Sequence, residues 1–216
     1  MSAGNLPRTG RSNPLDYDPR MIEQRIQQQF FDSADLHYTA VESLVRPLTE
    51  AVNSLVGCLT AGGKVLACGQ GLMAGSAQAF VQALGGGFER ERPGLAALAL
   101  RADAGLSGLP GVMPGQVLAR QVQALGHPGD VLLVLLSDGE DPELLEAVTT
   151  AQEKDMTVIA LTGRRGGALR ERLSETDVHL AVPHERPARI HELHLLALHC
   201  LCDAVDLQLL GDEDPA

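Results

Sequence analysis

The sequence predicts an α/β protein of the doubly wound, flavodoxin-like kind, with a five-stranded parallel sheet flanked by helices. Three observations carry this. Five short, continuous apolar runs recur along the 216 residues, separated by helical patterns, and unbroken apolar runs mark strands buried on both faces. Aromatic side chains make up only 3% of the chain and Trp is absent, against 44% hydrophobic residues. The core is therefore filled by Leu, Val, Ala and Ile, as layered packing of helices on a sheet allows. The length suits one domain with a sizeable core, and the composition excludes collagenous, disulfide-rich and membrane-spanning classes.

Residues 1–18 mix Gly, Pro, Ser, Asn and Arg with few apolar side chains and read as a disordered N-terminal tail. A domain over 19–211 follows. Met21, Ile22, Ile26, Phe30 and Ala34 recur at helical spacing, and a second helical pattern starts at Pro47 and runs to Leu59, so two N-terminal helices precede the first strand. Gly62-Gly63 stops the second helix. Lys64–Cys68 is the first strand, and Gly69-Gln70-Gly71 turns it into a helix through Ala74 to Leu84. The later strands are Leu95–Leu100, Val131–Leu136, Thr157–Leu161 and Val178–Val182. The last helix, Arg189–Leu210, is apolar nearly all round and needs cover on every side. Self-association is the expected cover, and an acidic tail over 212–216 closes the chain.

The formal net charge is -11, from 28 acidic and 17 basic residues, which opposes direct binding to nucleic acid or an anionic membrane. No apolar run reaches the roughly 18 residues of a transmembrane helix, and the N-terminus lacks the apolar region of a secretory signal. Cys58, Cys68, Cys200 and Cys202 lie in apolar stretches without a spaced framework and read as reduced, buried thiols of a cytoplasmic protein. Arg90, Arg92 and Arg101 read as a solvated basic group. In open parallel sheets ligands bind at the carboxyl ends of the strands. That rule points to the loops opening at Gly69 and Ser137.

The segments Gly63–Gly71, Phe88–Pro93, Gly126–Leu133, Met156–Gly163 and Ala188–His194, in that order, resemble the sugar isomerase (SIS) domain family from about Arg20 to Leu210. The branch is the one that holds phosphoheptose isomerase and the DnaA initiator-associating protein DiaA. Within it, Ala119–His127 and Cys200–Asp203 are more similar to DiaA.

The resemblance implies a site position by position. The family's first phosphate loop, Asn-Gly-x-Ser, is matched by Gln70, Gly71, Leu72 and Met73. Its second, Ser-Thr-Ser-Gly-Asn-Ser, is matched by Leu136 to Asp141, where Ser137 and Gly139 keep their type and Asp138, Glu140 and Asp141 bring carboxylates. Each carboxylate repels a phosphate by an amount on the order of a kcal/mol. The isomerase's His and Glu, four apart, which the resemblance implies handle a metal and the proton, fall on Ala79 and Ala83, beside Gln82, and the Gln and His, eight apart, that complete this metal and acid/base set fall on His191 and His199. The family's Asn-Asp pair after the second strand falls on Pro110-Gly111.

These positions lead to the expectation of no catalytic residues, no cofactor and no metal. His191, His194 and His199, with His184, Cys200 and Cys202 nearby, suggest a metal cluster, but His199 lies about 140° from His194 around a helix, so structural histidines are expected. The ligand-binding candidates are Gly69, Gln70, Gly71, Ser76, Ser137 and Gly139. Gly69-Gln70-Gly71 holds an anion or is simply a tight strand-to-helix turn, and both readings stand.

The function expected first is a non-catalytic homo-oligomer, a tetramer as in this branch, that scaffolds the replication initiator DnaA. The alternatives are a sedoheptulose 7-phosphate (phosphoheptose) isomerase and a sugar-phosphate-binding SIS sensor without catalysis.

Overall fold

The structure, a computed structural model, describes residues 19–102, 111, 113 and 115–212. The expected tail over 1–18, Pro110, and residues 213–216 of the acidic tail lie outside the described residues. The described residues divide into two units, 19–35 and 36–212.

Five strands, β1 (Val65–Gly69), β2 (Ala97–Ala99), β3 (Val131–Leu135), β4 (Thr157–Gly163) and β5 (Val178–Val182), form one sheet in the order β2-β1-β3-β4-β5. Every pairing is parallel. Successive strand residues point to opposite faces, and each face has its own helical layer. Val65, Ala67, Leu133, Ile159 and Leu180 pack with α1 (Pro19–Thr60), α2 (Leu72–Gly86) and α6 (Pro187–Leu210). Leu66, Cys68, Val134, Val158 and Ala160 pack with α3 (Val117–Leu125), α4 (Pro142–Glu153) and α5 (Gly167–Arg172). This is why the strands carry no polar alternation.

Several expectations change. Where two N-terminal helices are predicted, α1 is one helix of 42 residues with Pro47 inside it. Proline supplies no N–H to the turn before it and so reads as a helix start. The buried stripe of Leu36, Ala40, Leu44, Ala51, Leu55 and Cys58 nevertheless runs through it, and packing overrides the local signal. The second strand is shorter than its apolar run, because Leu95 N–H goes to Leu84 O of α2 instead of joining the ladder. Arg92 is no solvated charge but a buried one, discussed below.

At the amino end of the sheet, buried Asp130 accepts hydrogen bonds from Lys64 N (2.9 Å), Lys64 Nζ (2.5 Å) and His127 N (2.8 Å). Burial alone raises its pKa, but these donors outweigh that and hold the carboxyl below its ordinary value. They also pin the starts of β1 and β3 together.

By length and composition α6 is apolar enough to cross a membrane, contrary to the expectation that no segment is. Few Asp, Glu, Lys or Arg interrupt it, because histidine, cysteine and leucine fill its middle. Ile190, Leu193, Ala197, Leu201 and Val205 of this helix are buried in the sheet's core, the position of a core helix.

Candidate functional site

In this strand order the chain leaves β1 and β3 toward opposite layers, into α2 and α4. The carboxyl ends of those two strands therefore part, and crevices form at such switch points. Here it is a cleft of about 530 Å³. Gly69, Gln70, Gly71, Gln78, Ala79 and Gln82 line one wall, from β1 and α2. Leu100 and Arg101 after β2, Leu118 of α3, and Asp141 and Glu143 at the start of α4 line the other.

Each wall is set by local chemistry. A Cβ on Gly69 would lie 2.6 Å from Met73 O, so only glycine lets α2 begin so close to β1. Gly71 caps α2 at φ 55° with no side chain on the helix's first amides, the arrangement that favours an anion. Opposite, Asp141 caps α4 by accepting from Leu144 N (2.9 Å), with Pro142 next. Its other oxygen accepts from Gln70 Nε2 (2.6 Å) across the cleft. Glu143 accepts from Leu118 N (3.2 Å) and so ties α4 to α3. Buried Cys68, beneath the cleft, has its thiol pushed up to about 12 by burial first and then by the charges of Asp141 and Glu143.

The predicted ligand residues divide. Gly69, Gln70 and Gly71 meet in this cleft. Ser137 lines a separate notch of about 240 Å³ with Asp138, Arg164, Arg165 and His184. Gly139 is a packing residue: at φ 81° a Cβ there would stand 2.0 Å from Gly166 O. Ser76 is buried and its hydroxyl meets His191 Nε2 at 2.8 Å. Sequence reasoning missed Gln78, Arg101 and Glu143. Glu143 carries only the signature of a helix start, and nothing short of the strand order turns it toward the cleft.

The metal that the resemblance implies does not fit these residues. Ala79 and Ala83 offer no donor, and among the described residues no group of three or more His, Cys, Asp or Glu side chains converges. His191 is engaged by Ser76, and the His199 ring lies 5.5 Å from that of Phe88. Cys200 is exposed, not buried as expected, while Cys58, Cys68 and Cys202 are buried. Cys200 falls on a solvent-facing position of α6 that its apolar neighbours conceal in the sequence.

His194 is fully buried, with Nε2 3.2 Å from Thr162 O and Nδ1 3.1 Å from Met73 Sδ. A carbonyl only accepts, so Nε2 carries the proton. Desolvation lowers its pKa to about 4 from 6.5, more than the Thr162 hydrogen bond raises it. The unfolded chain therefore binds the extra proton first. Stability is full above pH 6.5 and falls as pH drops toward 4, by about 3 kcal/mol from this one group. Urea denaturation across that range checks it: His194→Gln, which keeps a donor for Thr162 O, should show a correspondingly shallower decline than the wild type. Equal slopes would remove His194 as the cause.

A model of the SIS domain matches residues 29–163. The phosphoheptose isomerase of Methylibium petroleiphilum is 58% identical over 90% of this chain and 98% of its own length, and that of Aromatoleum aromaticum is 50% identical over 88% and 97%. Among solved structures, phosphoheptose isomerase GmhA from Neisseria gonorrhoeae superposes with a TM-score of 0.79 at 40% identity, covering 86% of this chain and 98% of that one. These findings overturn the scaffold expectation. Full-length similarity runs to phosphoheptose isomerases, so the DiaA-like reading and DnaA as partner are withdrawn in favour of the enzyme alternative. The scaffold reading weighted a few replaced side chains above the rest of the chain.

Proposed function

This chain belongs to the SIS domain family, and from that premise we propose that it is a phosphoheptose isomerase, interconverting sedoheptulose 7-phosphate and its aldose isomer. The observation that carries the reading is end-to-end identity of up to 58% with phosphoheptose isomerases, in a fold whose cleft lies at the switch point of the sheet. The positive end of the α2 dipole, uncapped by any side chain, and Arg101 favour the phosphate. Gln78 and Gln82 offer amides to sugar hydroxyls and to the carbonyl. Gln70 and the α4 amide already engage the Asp141 carboxylate, which tempers its repulsion of the phosphate.

Ketose-to-aldose conversion removes a proton from C1 and returns one to C2, while the hydroxyl proton on O1 is lost and O2 gains one. It needs a base near both carbons. Glu143 is the cleft carboxylate we assign to that transfer, since Asp141 is held by two donors. A second reading, sugar-phosphate binding without turnover, is favoured by one specific observation: Ala79 and Ala83 stand where the resemblance places a metal- and proton-handling pair.

The test is incubation of the purified protein with sedoheptulose 7-phosphate, following aldose formation by NMR and binding by calorimetry. Turnover supports the isomerase; binding alone supports the second reading; absence of both excludes a sugar-phosphate function. Self-association in the cytoplasm is part of the proposal, covering exposed Leu196, Leu207 and Leu210 of α6. Light scattering of the same sample should report an oligomer, expected to be a tetramer, and a monomer at micromolar concentration would exclude it.

A further inference from the structure

Between α2 and α6, beside the cleft, lies a hollow of about 70 Å³ whose walls include Ala79, Ala83, Phe88 and His199. Ala79 lines both this hollow and the cleft. Ala79 and Ala83 are one helical turn apart, so their Cβ atoms share a face, and His199 meets them from the facing helix. Two helices thus direct three positions at one small space, the layout of a three-ligand metal site on facing helices. Only one of the three carries a donor.

We propose that the α2–α6 seam is a divalent-cation site in shape that lacks two of its donors, and that the chain holds no metal there. His199 instead packs against Phe88, and nearby Ser76 and His191 satisfy each other. One imidazole and the Cys202 thiol, with the Ser76 hydroxyl taken up by His191, give a cation no tetrahedral set, and the two methyl groups add no donor. This inference deepens the isomerase reading and rests on it for one consequence: turnover proceeds without a bound metal, and chelator does not slow it. The metal statement itself is read independently of substrate.

The test has three arms, each using zinc alone as the probe. The wild-type chain, equilibrated with zinc and dialysed, should carry far less than one zinc per chain by elemental analysis, with a melting temperature unmoved by zinc. Ala79→His/Ala83→Glu restores a His, Glu and His set with His199 and should take up about one zinc per chain. Its melting temperature should rise with zinc, because a ligand bound only to the folded state stabilises it. Adding His199→Ala to that double variant should abolish the gain.

About one zinc per wild-type chain, lost in His199→Ala, would overturn the proposal. A folded double variant, judged by circular dichroism, that ignores zinc would overturn it too, because the seam would then lack the shape claimed. If the double variant does not fold, the wild-type zinc content decides alone. Absence of sedoheptulose 7-phosphate turnover would defeat the isomerase reading and leave these metal measurements standing; turnover lost to chelator together with wild-type zinc would defeat the inference and leave the isomerase.

Discussion

Replacing Arg92 with methionine is expected to destabilise the folded chain by about 3–5 kcal/mol, the range for breaking a buried ion pair from one side. The Arg92 and Asp206 side chains are each only 2% exposed, and Nε donates to Asp206 Oδ1 at 2.5 Å. The remaining guanidinium nitrogens donate to Leu84 O (2.6 Å) and Ala83 O (3.0 Å). These are carbonyls of the last turns of α2, at its negative end, and they also accept from Leu95 N–H and Gly87 N–H respectively. One side chain thus ties the end of α2 to α6. Asp206 Oδ2 already has no hydrogen-bond partner among the described residues, so losing Arg92 strands a buried carboxylate.

That asymmetry makes the prediction specific. Arg92→Met/Asp206→Leu removes both charges and should recover most of the loss, because an apolar pair of similar volume is often neutral relative to a buried ion pair. Recovery will be incomplete, since the two α2 carbonyls keep their backbone donors but each lose a second, charged one, at about 1 kcal/mol each. Urea denaturation of the two single variants and the double provides the cycle. A loss below about 1 kcal/mol for Arg92→Met would put the pair in the class of exposed ion pairs and defeat the argument. The same contact bears on function, because α2 carries Gly71 and Gln82 at the cleft and Ala79 at the hollow.

Arg92 also shows where the sequence was legible and where it was not. Strands announce themselves through local composition: Val178–Val182 is a strand over the very residues predicted, and the alternation that sends Leu66 and Ala67 to different layers is implicit in the run. Ion pairs across 114 residues of separation leave no local trace, so an arginine among charged neighbours reads as solvated. Pro47 failed for the complementary reason: its local rule is real, but burial on both sides of it is stronger.

At the cleft wall, the turn through Gly69 and Gly71 was readable because a strand-to-helix turn has few chemical solutions. The places of Ser76 and Ser137 outside the cleft were not, because the direction of a hydroxyl near a loop is unknown until the packing of its helix is. The histidines show the same limit. Their spacing separates His199 from His194, yet only the facing residues, Thr162 and Met73 for His194 and Phe88 for His199, say what each one does.

If Glu143 moves the proton in the cleft, Glu143→Gln should lower kcat for sedoheptulose 7-phosphate by about 100-fold or more, the lower end of what a positioned acid–base group contributes. KM should change little, because the amide keeps an oxygen to accept Leu118 N–H and so preserves the join between α3 and α4. A structural role predicts the reverse, with thermal stability lost alongside activity. The pH profile separates the two further: a carboxylate base imposes a fall in kcat/KM at low pH, and the residual activity of the glutamine variant should lose that limb. Glu143→Asp keeps the charge but withdraws it by one methylene, so partial activity with the acidic limb intact is expected. Asp141→Asn provides the contrast. It keeps one acceptor for the α4 cap and removes a charge beside the phosphate, so binding should tighten or hold while kcat stays near wild type. Should Asp141→Asn abolish turnover while Glu143→Gln retains it, the base is Asp141, and the Gln70 contact at 2.6 Å becomes the means of orienting it.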